Sequence, residues 1–320
     1  KLLRIKKNQS QAHYYELKAT TLCLNNMKGT EDMLYYIGLP SLKVFNSILD
    51  VVMESDHQFA EDVNSRTISA SEQMFAVLVR LRTSMATREV ARNFSISMAS
   101  VSRIFSKWVL KLQEVLTELT SFPTLAEVQQ QTPPHFRRYP NTRILLDTTE
   151  ICIQKPSSLT AQRRTFSHYK LANTIKYLMG ATLDCYVSFV SPLYGGGTSD
   201  KAIIQQSAVL DLFECGDGIM VDKGFTIDDL LPPGVSLHMP PFRIPGEAQM
   251  GAKDVEATKH VASSRVLIER VIRRIKQFHI LDTPMPVNML DIANAIFTTC
   301  AYFSNFRLPL LNNGRHHVRG

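Results

Sequence analysis

Three acidic residues stand in the second half of this chain where its apolar pattern changes, and their order constrains what it can fold into. Asp147 ends the short apolar run in RILLDTTE, and Asp222 follows the run in GIMVDKGF. Glu269 lies inside the long pattern SSRVLIERVIRRIKQF. Short apolar runs closed by an acid read as strands, whereas the spacing of Val266, Ile268, Val271, Ile272 and Ile275 reads as an amphipathic helix. Strand, strand and helix therefore deliver one carboxylate each, with Glu269 expected on or beside the buried side of its helix.

The surrounding patterns fit a mixed sheet. Strands are expected over Ile144–Leu146, Ile175–Leu183, Tyr186–Val190, Ile219–Val221 and Val235–Met239, and Glu150–Gln154 extends the first or turns into a neighbour. Asp184-Cys185 joins the second and third as a hairpin. Lys155–Lys170 reads as a polar, basic loop and Gly195-Gly196-Gly197 as a flexible one. Ser199 caps a helix running through Leu212, a loop spans Pro240–Met250, and helices cover Lys253–Phe278 and Leu290–Phe303. A hairpin series followed by alternation with helices suggests an α/β domain, a mixed sheet with helices on its faces.

The first half is helical throughout. After a weakly ordered lead-in (residues 1–29, with helix over Ala12–Leu24), a short helix covers Glu31–Ile37 and Ser41 caps another. Ser55–Ser69 reads as a loop. Ser71 caps the next helix, Thr87 caps a short one through Phe94, Ser95-Ile96-Ser97 turns, and Met98–Leu116 is longer. Short helix, tight turn and longer helix make a helix-turn-helix over about 71–119. Ser97, Ser100, Ser102, Arg103 and Lys107 would face a DNA major groove; the competing reading is an ordinary bundle corner. Trp108 reads as a core anchor. Prolines 123, 133, 134 and 140 mark a linker, 121–142, between this region (1–120) and a second domain (143–310), with a basic tail at 311–320.

The net charge is +7 and the pI about 9.1, which favours a polyanionic partner. Five cysteines without a CxxC pair suggest reduced thiols, and nine histidines form no metal-binding spacing. No apolar run approaches twenty residues, so no membrane partner is expected. The chain opens on Lys1 rather than methionine, as a fragment of a longer protein would.

The three acids suit one chemistry. Phosphodiester cleavage by two divalent ions needs an activated water and a stabilised leaving oxygen. Mg²⁺ takes carboxylate oxygens and keeps several waters, so about three acids suffice. Each acid also has an ordinary reading: an Asp at a strand end as a turn or cap, a Glu among arginines as an i,i+4 partner. Asp200 reads as a helix N-terminal acid favoured by the dipole, with an acid that supports the site from behind as the other reading. Arg163, Arg164, Lys170, Lys223 and Arg265 are the candidate DNA-backbone contacts, with solvated surface charge as the competing reading.

The segments LLDTTEICIQKPSS, TFSHYKLANTIKYLMGATL, SFVSPLYGGGTSDK, IMVDKGF and ASSRVLIERVIRRIKQFHIL resemble those of DDE-type transposases of the Harbinger and related insertion-sequence groups. TREVARNFSISMASVSRIFSKW resembles the family's helix-turn-helix. The resemblance implies a ribonuclease H-like fold and a catalytic and metal-binding triad of Asp147, Asp222 and Glu269. It further implies two Mg²⁺ or Mn²⁺ ions, double-stranded DNA as partner and cut-and-paste transposition. A homodimer or larger synaptic complex would hold two transposon ends, in the nucleus if the source is eukaryotic. Thr148-Thr149 departs from the pair common in relatives, many of which also carry an upstream zinc-dependent THAP finger not found in this sequence. The alternatives are a domesticated, non-catalytic DNA-binding protein and an RNA-directed nuclease on the same fold.

Overall fold

The computed structural model describes residues 22–27, 29–64, 67–134, 139–222, 225–239, 266–307 and 309–310. The expectations for the lead-in helix, the Pro240–Met250 loop, the start of the Lys253 helix and the tail lie outside these residues. The chain divides into two compact units, Lys1–Val115 and Leu116–Gly320.

The first unit is helical: α1 (Thr30–Tyr36), α2 (Leu42–Ser55), α3 (His57–Asn64), α4 (Ala70–Thr83), α5 (Thr87–Asn93) and the greater part of α6 (Met98–Leu119). Ser41 caps α2 as expected, its Oγ accepting from the Val44 N–H at 3.3 Å. The expected loop after Ser55 is instead α3. Asp56 Oδ1 accepts the Phe59 N–H at 2.9 Å, and Phe59 and Val63, one turn apart, are both buried. Two apolar residues at i,i+4 are enough when they meet a partner: Phe59 packs edge-on to Trp108, ring centroids 5.1 Å apart.

The cap of α4 is Ser69, not Ser71. Ser69 accepts from Glu72 N at 3.2 Å while Glu72 Oε2 accepts from Ser69 N at 3.0 Å. This reciprocal box needs a glutamate three residues on, where Ser71 would meet Met74. Ser69→Ala should therefore lower stability by about 1 kcal/mol in a urea titration, and Ser71→Ala should not. Likewise Thr87 opens α5 as its first residue; the cap is Ala86, with no side-chain bond. Trp108 is the expected anchor: fully buried, its Nε1 donates to Gln73 Oε1 at 3.1 Å. Gln73 in turn donates to the carbonyls of Val63 and Ile68.

The second unit is built on a seven-stranded mixed sheet. Its strands are β1 (Thr142–Cys152), β2 (Phe166–Ser167), β3 (Ala172–Ala181), β4 (Val187–Val190), β5 (Tyr194–Gly195), β6 (Gly218–Val221) and β7 (Ser236–His238). The order is β2-β3-β1-β6-β7, with β4 and β5 also paired to β3. β1 runs antiparallel to β3 and parallel to β6, and β6 parallel to β7. Helices α7 (Leu125–Gln131), α8 (Leu159–Thr165), α9 (Asp200–Gln206), α10 (residues 266–276) and α11 (Ala293–Phe303) accompany the sheet. One face buries Ile144, Leu146, Leu178, Ile219 and Val221 against Ile203 and Ile204 of α9. On the other, Tyr177 stacks on Phe297 of α11, ring centroids 3.9 Å apart. This is a ribonuclease H-like α/β fold following a helix-turn-helix region.

Several elements differ from expectation. β1 is one continuous strand, because β3 pairs with it from Leu145 through Cys152. The stretch read as a linker contains α7, capped by a Thr124–Glu127 box. The basic loop contains α8, capped by Ser158. The helix after Ser199 stops at Gln206; Ala208 turns left-handed and a 3-10 turn covers Val209–Leu212. The last helix begins at Ala293, behind a 3-10 turn over Val287–Ile292. The three glycines are packed, not loose. A Cβ on Gly195 would strike the Arg164 carbonyl, and one on Gly196 the Thr174 side chain. Glycine lets β5 lie close against α8 and β3.

Candidate active site and nucleic-acid interface

The register of the central strands decides where the first two acids go. Leu145 pairs with Met220 and Leu146 with Val221 across the parallel β1–β6 ladder. Asp147 is the next residue on β1 and Asp222 the first beyond β6, so the two leave the ladder side by side, about 4.8 Å apart at the backbone. Leu146 and Val221 point into the α9-side core. Strand alternation therefore sends Asp147 to the opposite face, the face of Tyr177 and α11. Both aspartates are half-buried, and Asp147 Oδ1 accepts from the Thr148 N–H at 2.7 Å.

The helix bearing Glu269 approaches the same edge of β1. β6 ends beside Leu146, so the second half of β1 has an open side. The Lys276 ammonium donates to the Glu150 carbonyl there at 3.1 Å. The chain beyond α10 continues the cover, with Met285 N bonded to Cys152 O and Gln154 N to Met285 O, each at 2.9 Å. Glu269 itself is exposed. The buried stripe of α10 is Leu267, Ile268, Val271 and Ile275, and 100° per residue turns Glu269 outward with Arg270 and Arg273. This corrects the expectation of a Glu269 on or beside the buried side of its helix.

An arginine that no motif singled out ties the acid-bearing strands together. Arg143 on β1 donates from Nη1 to Asp217 Oδ2 at 2.6 Å and to the Leu212 carbonyl at 3.1 Å, and from Nε to the Pro123 carbonyl at 2.7 Å. Its guanidinium lies 4.6 Å from the Phe122 ring centroid. Asp217, just before β6, also accepts from Glu214 N at 2.8 Å. A second network lies on the α9 face. Thr148 Oγ1 donates to Asp200 Oδ1 at 2.9 Å, and Lys176 sits 3.3 Å from Asp200 and 3.6 Å from Glu150. Thr174 Oγ1 donates to Glu150 Oε2 at 2.8 Å. Asp200 thus does more than favour a helix dipole: it holds the residue after Asp147. The sequence signal was Lys176, a lone cation inside the apolar run of β3, which must find acids to be buried.

The basic candidates divide. Arg163 and Arg164 are exposed in the last turn of α8, and Lys170 is exposed in the β2–β3 turn. Lys223 and Arg265 lie outside the described residues. On α6, Ser97 caps the helix, accepting from Ser100 N at 3.0 Å. Arg103 and Ser102 are exposed, with Ser102 Oγ bonded to its own helix at Met98 O. Lys107 is paired with Asp62 of α3 and lies 4.7 Å from the Phe59 ring centroid, so its charge is partly spent inside the unit.

Oxygen donors on adjacent strands fit a hard divalent ion that keeps several waters. Asp147 and Asp222 are such a pair. Among the described residues no group of three or more His, Cys, Asp or Glu side chains is gathered to hold a metal; what the strand register sets side by side is the backbone at Asp147 and Asp222. All five cysteines are free thiols, and no described helix is long and apolar enough to cross a membrane.

No curated protein matches the chain. Residues 66–118 match the family model described as helix-turn-helix of DDE superfamily endonuclease, which points, with the endonuclease domain, to DNA binding. Residues 146–305, half the chain, match the model described as DDE superfamily endonuclease, a range that holds Asp147, Asp222, Glu269 and the whole central sheet except the start of β1. The chain belongs to the DDE superfamily endonucleases.

Proposed function

We propose that this protein is a metal-dependent DNA endonuclease and strand-transferase of cut-and-paste transposition, related to the Harbinger group. The observation that carries the reading is the placement of Asp147 and Asp222 side by side at the end of the β1–β6 ladder. Asp147 and Asp222 would hold Mg²⁺ or Mn²⁺ through carboxylate oxygens, and Glu269 would supply the third carboxylate from α10. When bound, two such ions supply an activated water and a stabilised leaving oxygen. The Thr148 N–H orients Asp147, and the Asp200–Lys176–Glu150 network steadies the strand beneath it. Exposed Arg163, Arg164 and Lys170 hold the phosphate backbone, and Ser97, Ser100 and Arg103 enter the major groove. After hydrolysis at a transposon end, the freed 3′-hydroxyl attacks a target phosphodiester at the same site, forming the new joint as the target's own 3′-hydroxyl leaves. Holding two ends requires a dimer or larger assembly, acting in the nucleus if the source is eukaryotic.

The test is cleavage of end-labelled duplex DNA bearing candidate terminal repeats, with Mn²⁺ present. Cleavage supports the reading; tight binding without cleavage under any divalent ion turns it toward a non-catalytic DNA-binding protein. Metal linkage gives an independent check. At about a hundredfold excess over Kd an ion adds roughly 2.7 kcal/mol to folding. Mn²⁺ should therefore raise the melting temperature of the wild type and leave that of Asp147→Asn/Asp222→Asn unchanged.

A further inference from the structure

The β2–β3 turn is built against the ordinary rules for a surface turn. Ser167 pairs with Ala172, so His168–Leu171 form a four-residue tip. Tyr169 is 84% exposed and Leu171 78%, more than any other large hydrophobic residue among those described. Leu171 also has a φ of +51°, a left-handed conformation that turns normally give to glycine, asparagine or aspartate. An exposed leucine there gains nothing from burial and bears the steric cost of its backbone, which points to a function outside the folded chain.

The tip is firmly based. Lys170 N donates to Ser167 Oγ at 3.1 Å, and Asn173 Nδ2 donates to Gln162 O and Thr165 Oγ1 of α8. Cations surround it: Lys170 lies 5.0 Å from the Tyr169 ring centroid, and Arg163 and Arg164 are exposed on the helix tied to its base. Lys276 is close enough that, after burial, the Lys170 charge is the next cause lowering its ammonium pKa. An aromatic and an aliphatic side chain raised on a rigid turn among cations match nucleic acid, whose backbone takes the cations and whose bases offer flat faces.

We infer that the His168–Leu171 tip is a nucleic-acid wedge: Tyr169 stacks on an unpaired base and Leu171 props the adjoining pair, while Lys170, Arg163 and Arg164 grip the flanking phosphates. The inference rests on the DNA reading above and adds what it lacks, a site for distorted or unpaired DNA. Asp147 pairs with Met179, seven residues along β3 from Ala172. At about 3.4 Å per residue the tip stands roughly 24 Å from the acid pair. That is about seven base steps of duplex.

The experiment compares a blunt duplex with the same duplex ending in a short fork that carries 5-iodo-deoxyuridine in its unpaired arm. Wild type should bind the fork about tenfold more tightly and photocrosslink through Tyr169, stacking on one aromatic being worth that order. Tyr169→Ala should lose both preference and crosslink, and Tyr169→Phe should keep the preference. Leu171→Gly relieves the left-handed strain, so it should melt no lower than wild type yet bind the fork several-fold more weakly. Equal fork binding by Tyr169→Ala and wild type, or crosslinks that map away from the tip, would overturn the wedge alone. Failure of the wild type to bind either duplex would overturn the wedge together with the DNA reading.

Discussion

Replacing Asp217 with alanine should cost about 3–5 kcal/mol of folding free energy, because it leaves a buried guanidinium without its counter-charge. The Arg143 and Asp217 side chains are 6% and 4% exposed. The remaining Arg143 bonds go to backbone carbonyls, which accept hydrogen bonds but carry no counter-charge. The pair joins β1 to the turn before β6, at the opposite end of the ladder from Asp147 and Asp222. Loosening it should therefore also loosen the register that sets the acids together. Arg143→Met/Asp217→Leu should be less harmful than Asp217→Ala, since an apolar pair of similar volume avoids the stranded charge. Urea unfolding measures both, and a loss below about 1 kcal/mol for Asp217→Ala would mean that the pair is solvated.

Asp147→Asn and Asp222→Asn should each reduce DNA cleavage by at least about a thousandfold, the scale of several kcal/mol of transition-state stabilisation. Asparagine keeps the shape and removes the charge, so neither variant should bind duplex DNA less tightly than wild type. Glu269→Gln should behave in the same way, with an unchanged melting temperature because Glu269 is exposed. Initial rates on labelled duplex, beside equilibrium binding of the same duplex, separate the two effects. Retained cleavage in any of the three variants would remove that residue from the site.

Much of this was legible in the sequence because it rests on local rules. The apolar runs ahead of Asp147 and Asp222 mark their strands, and Ser41, Ser158 and Ser199 are side-chain caps, although Ser158 lies in a stretch whose sequence reads as a loop. What escaped depends on partners distant in sequence. His57–Asn64 is helical because Phe59 meets Trp108, a contact that a polar window cannot reveal. β1 runs to Cys152 because β3 pairs along it. The side of α10 on which Glu269 falls is not legible from spacing, because Val266 and Ile272 look like part of the apolar stripe, whereas Leu267 takes the buried place and Val266 is 42% exposed. The Arg143–Asp217 pair joins residues that look like a strand start and a turn acid when read separately. The β1–β6 adjacency, which makes neighbours of two acids far apart in the chain, is a property of the sheet order alone.

The central proposal is that Asp147, Asp222 and Glu269 together form one divalent-metal site. Fe²⁺ can occupy oxygen-donor sites of this kind, and with ascorbate and peroxide it cuts the polypeptide within reach of the bound ion. The measurement is the map of those cuts in the full chain, with Mg²⁺ as competitor. Cuts clustered near residues 147, 222 and 269, suppressed together by Mg²⁺ and lost together in Asp222→Asn, are the predicted result. Cuts near 147 and 222 with none near 269, or a pattern indifferent to Asp222→Asn, would contradict it.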